Sequence, residues 1–318
     1  MTAKRIFVTG ASGCIGHYIA DALIHKTSHD LFFMVRDMNK LKFDYNARPG
    51  ITVIPGNMQD IEQFGRLLKS MNGAILAATA WGGDEVFDIN VFKTIRLLNL
   101  LDPEVCEQVI YFSTASILDR HNHPLKEAGD LGTDYIRSKY TCHLHLPKLA
   151  IAPKITTLFP TLVFGGDETK PYSHLSSGIK EVLKWIDIIR FLRTDASFHF
   201  LHAQDIAQVV TYFVDHPPGP DDPHEFVLGN PVLSVNQAVK EICAYLNKRI
   251  YFRIPLSPQL AELIISVFQI QVAAWDRFCM GYRHFTYENP ISPESFGLIT
   301  YYPALRDILK TSGVSPHP

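Results

Sequence analysis

The stretch Lys4–Gly16, KRIFVTGASGCIG, constrains this chain more than any other feature. A short apolar strand runs straight into Gly10, Gly13 and Gly16, then into a segment whose apolar positions Ile15, Ile19 and Leu23 share a helical face. Gly10 permits a tight turn, Gly13 lets the backbone approach a phosphate, and Gly16 lets the helix sit close to the sheet. Ser12, Cys14 and Ile15 offer a hydroxyl or backbone N–H groups to an anion at the helix N-terminus. The stretch therefore predicts a strand, turn and helix that cradle the pyrophosphate of a dinucleotide, with GxxGxxG rather than GxGxxG spacing.

The 318 residues, 47% of them hydrophobic, can build a substantial core as one large domain or a domain with a smaller lobe. A net charge of -2 with dispersed basic residues argues against a nucleic-acid partner. Five cysteines without a CxxC pair point to free thiols in a reducing compartment. The chain opens on a strand rather than a leader, so a cytoplasmic location is expected. The apolar stretch Leu256–Met280 predicts a buried or pocket-lining helix. The alternative is a helix resting peripherally on a membrane, because its charge-free run, Leu263–Trp275, is too short to span one.

Along the first half, Ile6–Thr9, Asp30–Val35, Ile51–Ile54, Gly73–Ala78, Gln108–Phe112 and Ile155–Phe159 read as strands. Cys14–Lys26, Asp60–Ser70, Val86–Leu100 and Tyr135–Ala150 read as the helices between them. Apolar runs separated by amphipathic helices indicate a parallel sheet covered on both faces. Beyond Gly165 the pattern changes to a long loop over Gly165–Gly178, a helix near Ile179–Ile189, a strand around Ser197–His202 and a helix at Ala203–Val214. Pro217–Pro223 reads as a linker, Glu225–Leu228 as a strand, Asn236–Leu246 as a helix and Arg249–Arg253 as a strand. The expected fold is α/β, a doubly wound parallel sheet (Rossmann fold) with a smaller C-terminal substrate-binding lobe. Residues 1–165 would bind the dinucleotide and carry the chemistry. Residues 166–318 would mainly form the lobe, with segments near 197–230 returning to the first domain.

The second strand ends Phe33-Met34-Val35-Arg36-Asp37, where the chain meets the adenosine ribose. Arg36 suits a 2′-phosphate, with Lys40 close enough to assist, so NADP(H) is the preferred cofactor. In the alternative, Arg36 is solvated, Asp37 takes the free ribose and NAD(H) binds. Asn57 and Met58, after the third strand, fall where the chain turns past the adenine, and Asn57 is either a ligand of its edge or a plain loop asparagine. The small residues Ala77, Ala78 and Thr79 would let the chain pass the cofactor without filling its space.

Tyr135 and Lys139 form YxxxK, an offset that puts both on one helical face. A lysine ammonium near the phenol would lower its pKa and hold the nicotinamide ribose. Tyr135 would then serve as acid or base on a carbonyl or alcohol. At the end of the fifth strand, Thr114 would bond the reacting oxygen, and Ser113 would face the cofactor or brace the turn.

With these residues in hand, the chain resembles the extended short-chain dehydrogenase/reductases of the NAD(P)-dependent epimerase/dehydratase superfamily. TGASGCIG at Thr9–Gly16 resembles their TGxxGxxG motif, and YIRSK at Tyr135–Lys139 their YxxSK helix. The resemblance implies that Thr114, Tyr135 and Lys139 are catalytic. It also implies that Asn90, in INVFKTIRLL, supports the site, and that Pro160 and Val163 belong to the segment holding the nicotinamide amide. VRDMNK at Val35–Lys40 is most similar to the dihydroflavonol-reductase-like carbonyl reductases. Asn57 stands in place of the usual aspartate, Phe159 in place of an arginine, and Leu118-Asp119 where Tyr-Gly is common. A homodimer through Val86–Leu100 and Tyr135–Ala150 is the assembly implied.

Trp81, Ala115, Ser116, Phe164 and Tyr172 are the expected substrate-pocket residues, with Trp81 as a flat apolar wall. Loops carrying His121, His123 and His174 would shape or close the pocket. The pairs His121/His123 and His143/His145 lack companion ligands at metal-binding spacing, so no metal is expected. Trp81 and the apolar C-terminal stretch favour a hydrophobic small-molecule carbonyl or secondary alcohol as substrate. Two further classes stay open: a nucleotide-sugar epimerase or dehydratase, for which Arg190 and Arg193 would hold the diphosphate, and a non-catalytic NADP(H)-binding regulator.

Overall fold

A computed structural model describes residues 3–257 and 271–316. Six parallel strands follow in order: β1 (Arg5–Thr9), β2 (Asp30–Val35), β3 (Ile51–Pro55), β4 (Gly73–Leu76), β5 (Gln108–Phe112) and β6 (Ile155–Pro160). Together with the strand Glu225–Leu228 they form one seven-stranded sheet, ordered β3-β2-β1-β4-β5-β6 and then Glu225–Leu228 at the edge. Every pairing in this sheet is parallel. This is the doubly wound Rossmann-like α/β fold, whose strand order reverses between β1 and β4 and opens a crevice there.

Two apolar layers enclose the sheet. On one side Ile19, Ala20, Leu23 and Ile24 of the first helix, Cys14–Lys26, pack with Ala203, Ile206 and Val210 of the helix Ala203–Asp215. On the other, Leu97 and Leu98 pack with Ile61, Met71, Cys142 and Leu146. Asp205 is buried and accepts hydrogen bonds from the N–H groups of Tyr301 and Tyr302, at 2.8 and 3.2 Å, fastening the last segment to the sheet layer.

Several elements differ from the sequence reading. Asp60–Ser70 is a 3-10 segment, Met58–Phe64, followed by a single α-turn, Gly65–Leu68, because the Asn57 carboxamide caps the start of the tighter form. The helix expected at Val86–Leu100 contains a π-turn at Asp88–Lys93. The loop after Gly165 ends early: Ser173 caps a helix at His174–Leu183, and a separate turn covers Ile186–Ile189. Ser197–His202 is two short strands, Ser197–Phe198 and Phe200–His202, that join different sheets on either side of His199. No strand forms at Arg249–Arg253. The pairing falls at Ile254–Pro255, alongside Leu192–Arg193. Of the apolar stretch 256–280, residues 258–270 lie outside the described residues, and a helix at Ala274–Tyr282 ends it.

Candidate active site

The glycine turn is shaped by its neighbours. Gly10 has φ +80°, and a Cβ there would sit 2.5 Å from the backbone of Ala77 and Ala78. Ala77 and Ala78 therefore crowd the turn itself. A Cβ on Gly16 would overlap the Gly10 carbonyl, so the helix is seated as closely as the backbone allows. Gly13 is the N-cap and no side chain caps the helix, while half-buried Ser12, Cys14 and Ile15 surround the turn. An uncapped N-terminus beside a glycine turn is an anion-binding surface. Burial pushes the Cys14 thiol up to about 12.

β5 and the helix Asp134–His145 deliver the reactive groups. Thr114 lies two residues beyond β5, where it acts against the upward shift of the Tyr135 phenol, and its side chain accepts the Ser116 N–H at 3.3 Å. Lys139 is buried, and its Nζ donates to the Phe112 carbonyl at 2.8 Å and lies 5.0 Å from the centre of the Tyr111 ring. Burial lowers its pKa to about 8. The YxxxK spacing predicts that Lys139 lowers the Tyr135 phenol. The structure reverses this: burial pushes the phenol above its ordinary value, and the opposing influence is the Thr114 hydrogen bond. Ser113 Oγ is buried without a hydrogen-bond partner among the described residues.

Behind these groups stands a network centred on Asn90. Its Oδ1 accepts from the Ala80 N–H at 2.8 Å and the Thr79 hydroxyl at 3.0 Å. Its Nδ2 donates to the Ala80 carbonyl at 2.8 Å and to Ser138 Oγ at 2.9 Å. Ser138 Oγ in turn donates to the Tyr135 carbonyl at 2.7 Å. Asn90 is fully buried with its carboxamide capacity filled, so it positions the chain around Tyr135 instead of offering a free group to a cofactor. Its π-turn is a backbone departure of the kind found at functional sites. Ser138 is the residue that sequence reasoning overlooked, its only signal being the serine of YIRSK.

A half-exposed Trp81 covers the tyrosine. Its indole stacks on the Tyr135 ring, centroids 4.1 Å apart and planes 20° apart, and its other neighbour is His174 at 4.5 Å. Tyr172, two residues before His174, is exposed. Below Tyr135 lies an apolar cluster that includes Ala115, Ile136, Phe159 and Trp275, with Phe278 and Tyr287 packed against it. Ala115 is a core member of this cluster rather than an open wall. Phe164 turns to Phe200, in a cluster with Ala238 and Leu305.

The cofactor edge is more open. Arg36 is exposed, with its guanidinium 4.0 Å from the Glu85 carboxylate, and Lys40 is exposed nearby. The Asp37 carboxylate caps its own turn, accepting the Asn39 N–H at 3.0 Å. Asn57 donates to Gln59 Oε1 at 3.0 Å and accepts the Gln59 N–H at 3.4 Å, the loop role rather than a free adenine ligand. Met58 is drawn into the core. Pro160 ends β6, and Val163 packs on the main core. His121 binds Glu288 at 2.7 Å, His143 is buried 3.8 Å from Glu225, and Arg190 pairs with Asp187 at 3.2 Å. Among the described residues, no group of three or more His, Cys, Asp or Glu side chains is placed to hold a metal. The uncapped helix start, the tight glycine cradle and the unpartnered Ser113 hydroxyl fit a dinucleotide lying across the crevice.

Fold and crevice together define a dinucleotide-binding α/β protein. The NAD dependent epimerase/dehydratase family matches residues 6–229. The chain belongs to that family, within the extended short-chain dehydrogenase/reductases. Comparison with curated proteins finds no match. Solved structures share its fold. The terminal R domain of the myxalamid PKS-NRPS biosynthetic pathway is 16% identical, covering 98% of this chain and 90% of that one at a TM-score of 0.68. dTDP-glucose 4,6-dehydratase from Bacillus anthracis, solved with NAD, is 14% identical over 98% and 96% of the two chains, TM-score 0.64. UDP-N-acetylglucosamine 4-epimerase from Methanobrevibacter ruminantium is 18% identical over 99% and 98%, TM-score 0.61.

Proposed function

We propose that this chain is an NADP(H)-dependent oxidoreductase that reduces a carbonyl, or oxidises a secondary alcohol, of a hydrophobic small molecule. The observation that carries the reading is the Tyr135 phenol, on the same helix as buried Lys139, opposed in its upward shift by Thr114 and roofed by Trp81. The turn Gly10–Gly16 would hold the pyrophosphate, Arg36 and Lys40 the 2′-phosphate, Lys139 the nicotinamide ribose, and the Pro160–Val163 segment the amide. Asp37 supports NADP(H) over NAD(H), because its carboxylate caps its own turn instead of remaining free for a ribose.

When bound, the cofactor supplies or accepts the hydride. Thr114 orients the substrate oxygen and Tyr135 gives it a proton in the reducing direction. A phenol pushed up by burial stays protonated, which suits it as an acid. The Lys139 ammonium supplies positive charge behind the developing alkoxide. Trp81 and the apolar cluster under Tyr135 exclude water and favour a greasy substrate.

The second reading, nucleotide-sugar epimerisation or dehydration, draws on the family and on the named epimerase and dehydratase structures. Net consumption of NADPH with a hydrophobic ketone or aldehyde separates the two. Conversion of a sugar nucleotide without net NADPH consumption would replace the carbonyl-reductase reading.

A further inference from the structure

An apolar stripe runs along the outside of the C-terminal lobe. It begins at His174, whose ring meets Trp81 at the roof of the candidate site. Along the chain that follows, Val182, Trp185 and Ile188 recur at steps of three and are 58%, 62% and 58% exposed. Their inward neighbours Leu183, Ile186 and Ile189 pack on Val239 and Cys243, so the exposed set is the opposite face of a seated element. The stripe continues through Phe191, stacked on Phe252 at 4.7 Å, and the pairing of Leu192 with Ile254 holds the two segments together. Phe252 is 57% exposed and Tyr251 73%. Among the described residues, Val182, Trp185, Ile188, Tyr251, Phe252 and Ile254 are thus exposed on segments joined by the Leu192–Ile254 pairing, and such a set of large apolar side chains marks an interaction surface.

Charge identifies the partner. The whole chain carries -2, yet segments 174–193 and 248–255 hold seven Lys or Arg residues against two Asp or Glu. Lys184 pairs with Glu181, and Arg190 and Lys248 with Asp187, while Lys180, Arg193 and Arg249 are exposed in the same two segments. Exposed tryptophan and aliphatic residues in segments carrying this excess of cations match the chemistry of an anionic lipid surface. Among the described residues no helix is long and apolar enough to cross a membrane.

We infer that the face carrying Val182, Trp185, Ile188, Phe191 and Phe252 docks on an anionic lipid bilayer and brings the mouth beside Trp81 and His174 to the membrane surface. This deepens the proposed function, on which its substrate half rests: the substrate is a lipid-soluble carbonyl or alcohol drawn from the bilayer. The surface differs from the stretch 256–280 that the sequence singled out.

The test is co-sedimentation of the full chain with vesicles of phosphatidylcholine alone, and with about 30% phosphatidylserine added. Binding to the mixed vesicles that weakens with salt is expected. The double variant Trp185→Glu, Ile188→Ser should bind them about tenfold or more weakly while keeping its NADPH affinity. Should that variant fold poorly, Phe252→Ser, on the other segment, should show a loss of binding in the same direction. No sedimentation of the wild-type chain with either vesicle overturns the inference. So does unchanged binding by folded variants. Self-association of the chain that the same substitutions abolish, without vesicle binding, also overturns it by assigning the face to a second copy. NADPH titration of the same samples keeps this result separate from the enzymatic reading, since lipid binding needs no turnover.

Discussion

The two sides of the candidate cleft are built on opposite terms. The wall behind Tyr135 is buried and largely hydrogen-bonded: Asn90 ties Thr79, Ala80 and Ser138 together, and Lys139 is fixed on the Phe112 carbonyl. The edge beyond β2 is the reverse. Arg36 and Lys40 project into water, and the nearest ordering contact for Arg36 is a 4.0 Å approach to Glu85. An exposed ion pair of that kind contributes little to stability. Under the proposed function the contrast separates two tasks. Groups that move a proton must be preorganised before substrate arrives, whereas groups that select a phosphate can wait for it.

The sharpest way to break this contrast is at the preorganised wall. Tyr135→Phe should cut turnover about a thousandfold while leaving NADPH binding unchanged, as measured by NADPH oxidation and by titration. Undiminished turnover would remove Tyr135 from the chemistry. Next in size, Asn90→Ala strands several buried donors and acceptors and should cost about 3 kcal/mol in urea unfolding. A loss near zero would mean that the wall is not held by this network.

On the open edge the expected effects are smaller and concern affinity. Arg36→Ala should weaken NADPH about tenfold and NADH hardly at all, with the unfolding midpoint unmoved. Equal weakening of both cofactors would place Arg36 outside the phosphate site.

The smallest effect is a pH dependence. In the cofactor-free fold the Lys139 pKa falls from 10.5 to about 8, so folding disfavours its charged form. That penalty is present in full below pH about 8 and fades as pH rises towards 10.5. Lys139→Met should therefore gain stability relative to wild type near neutral pH, and the gain should shrink in alkali. For the reaction the sign is opposite: reduction by wild type should slow above pH about 8 as the ammonium loses its charge. A stability difference that is constant with pH would show that Lys139 does not titrate in this range.

Much of the nucleotide half was legible because its determinants are local. Glycine spacing, apolar runs and YxxxK each act within a few residues, and the strands of the sheet and the helix Cys14–Lys26 fall where those patterns put them. What escaped depends on partners distant in the chain. Asn90 meets Ser138 across 48 positions, so neither residue announces the other. Asn57 was ambiguous because one carboxamide can serve an adenine or a turn, and here the local turn has it. His199 interrupts an otherwise plausible strand because its ring bonds the Asn230 carbonyl at 2.8 Å. The phenol's shift runs against the sequence expectation because YxxxK spacing shows a lysine four positions away but not the desolvation that acts on both groups.

The edge strand Glu225–Leu228 and the helix Ala203–Asp215 carry a consequence for how such a protein can be rearranged. The chain leaves the sheet after β6, builds part of its lobe, and comes back to close the sheet beside β6 and cover the first helix. A gene cut near residue 165 would leave β6 with an open edge and Ile19, Leu23 and Ile24 without their cover. The nucleotide half is thus not a cassette that recombination can lift out by its N-terminal end. Lobe and sheet are interleaved in the chain, so new lobes must arise as insertions between fixed points of the sheet and not as appendages to it.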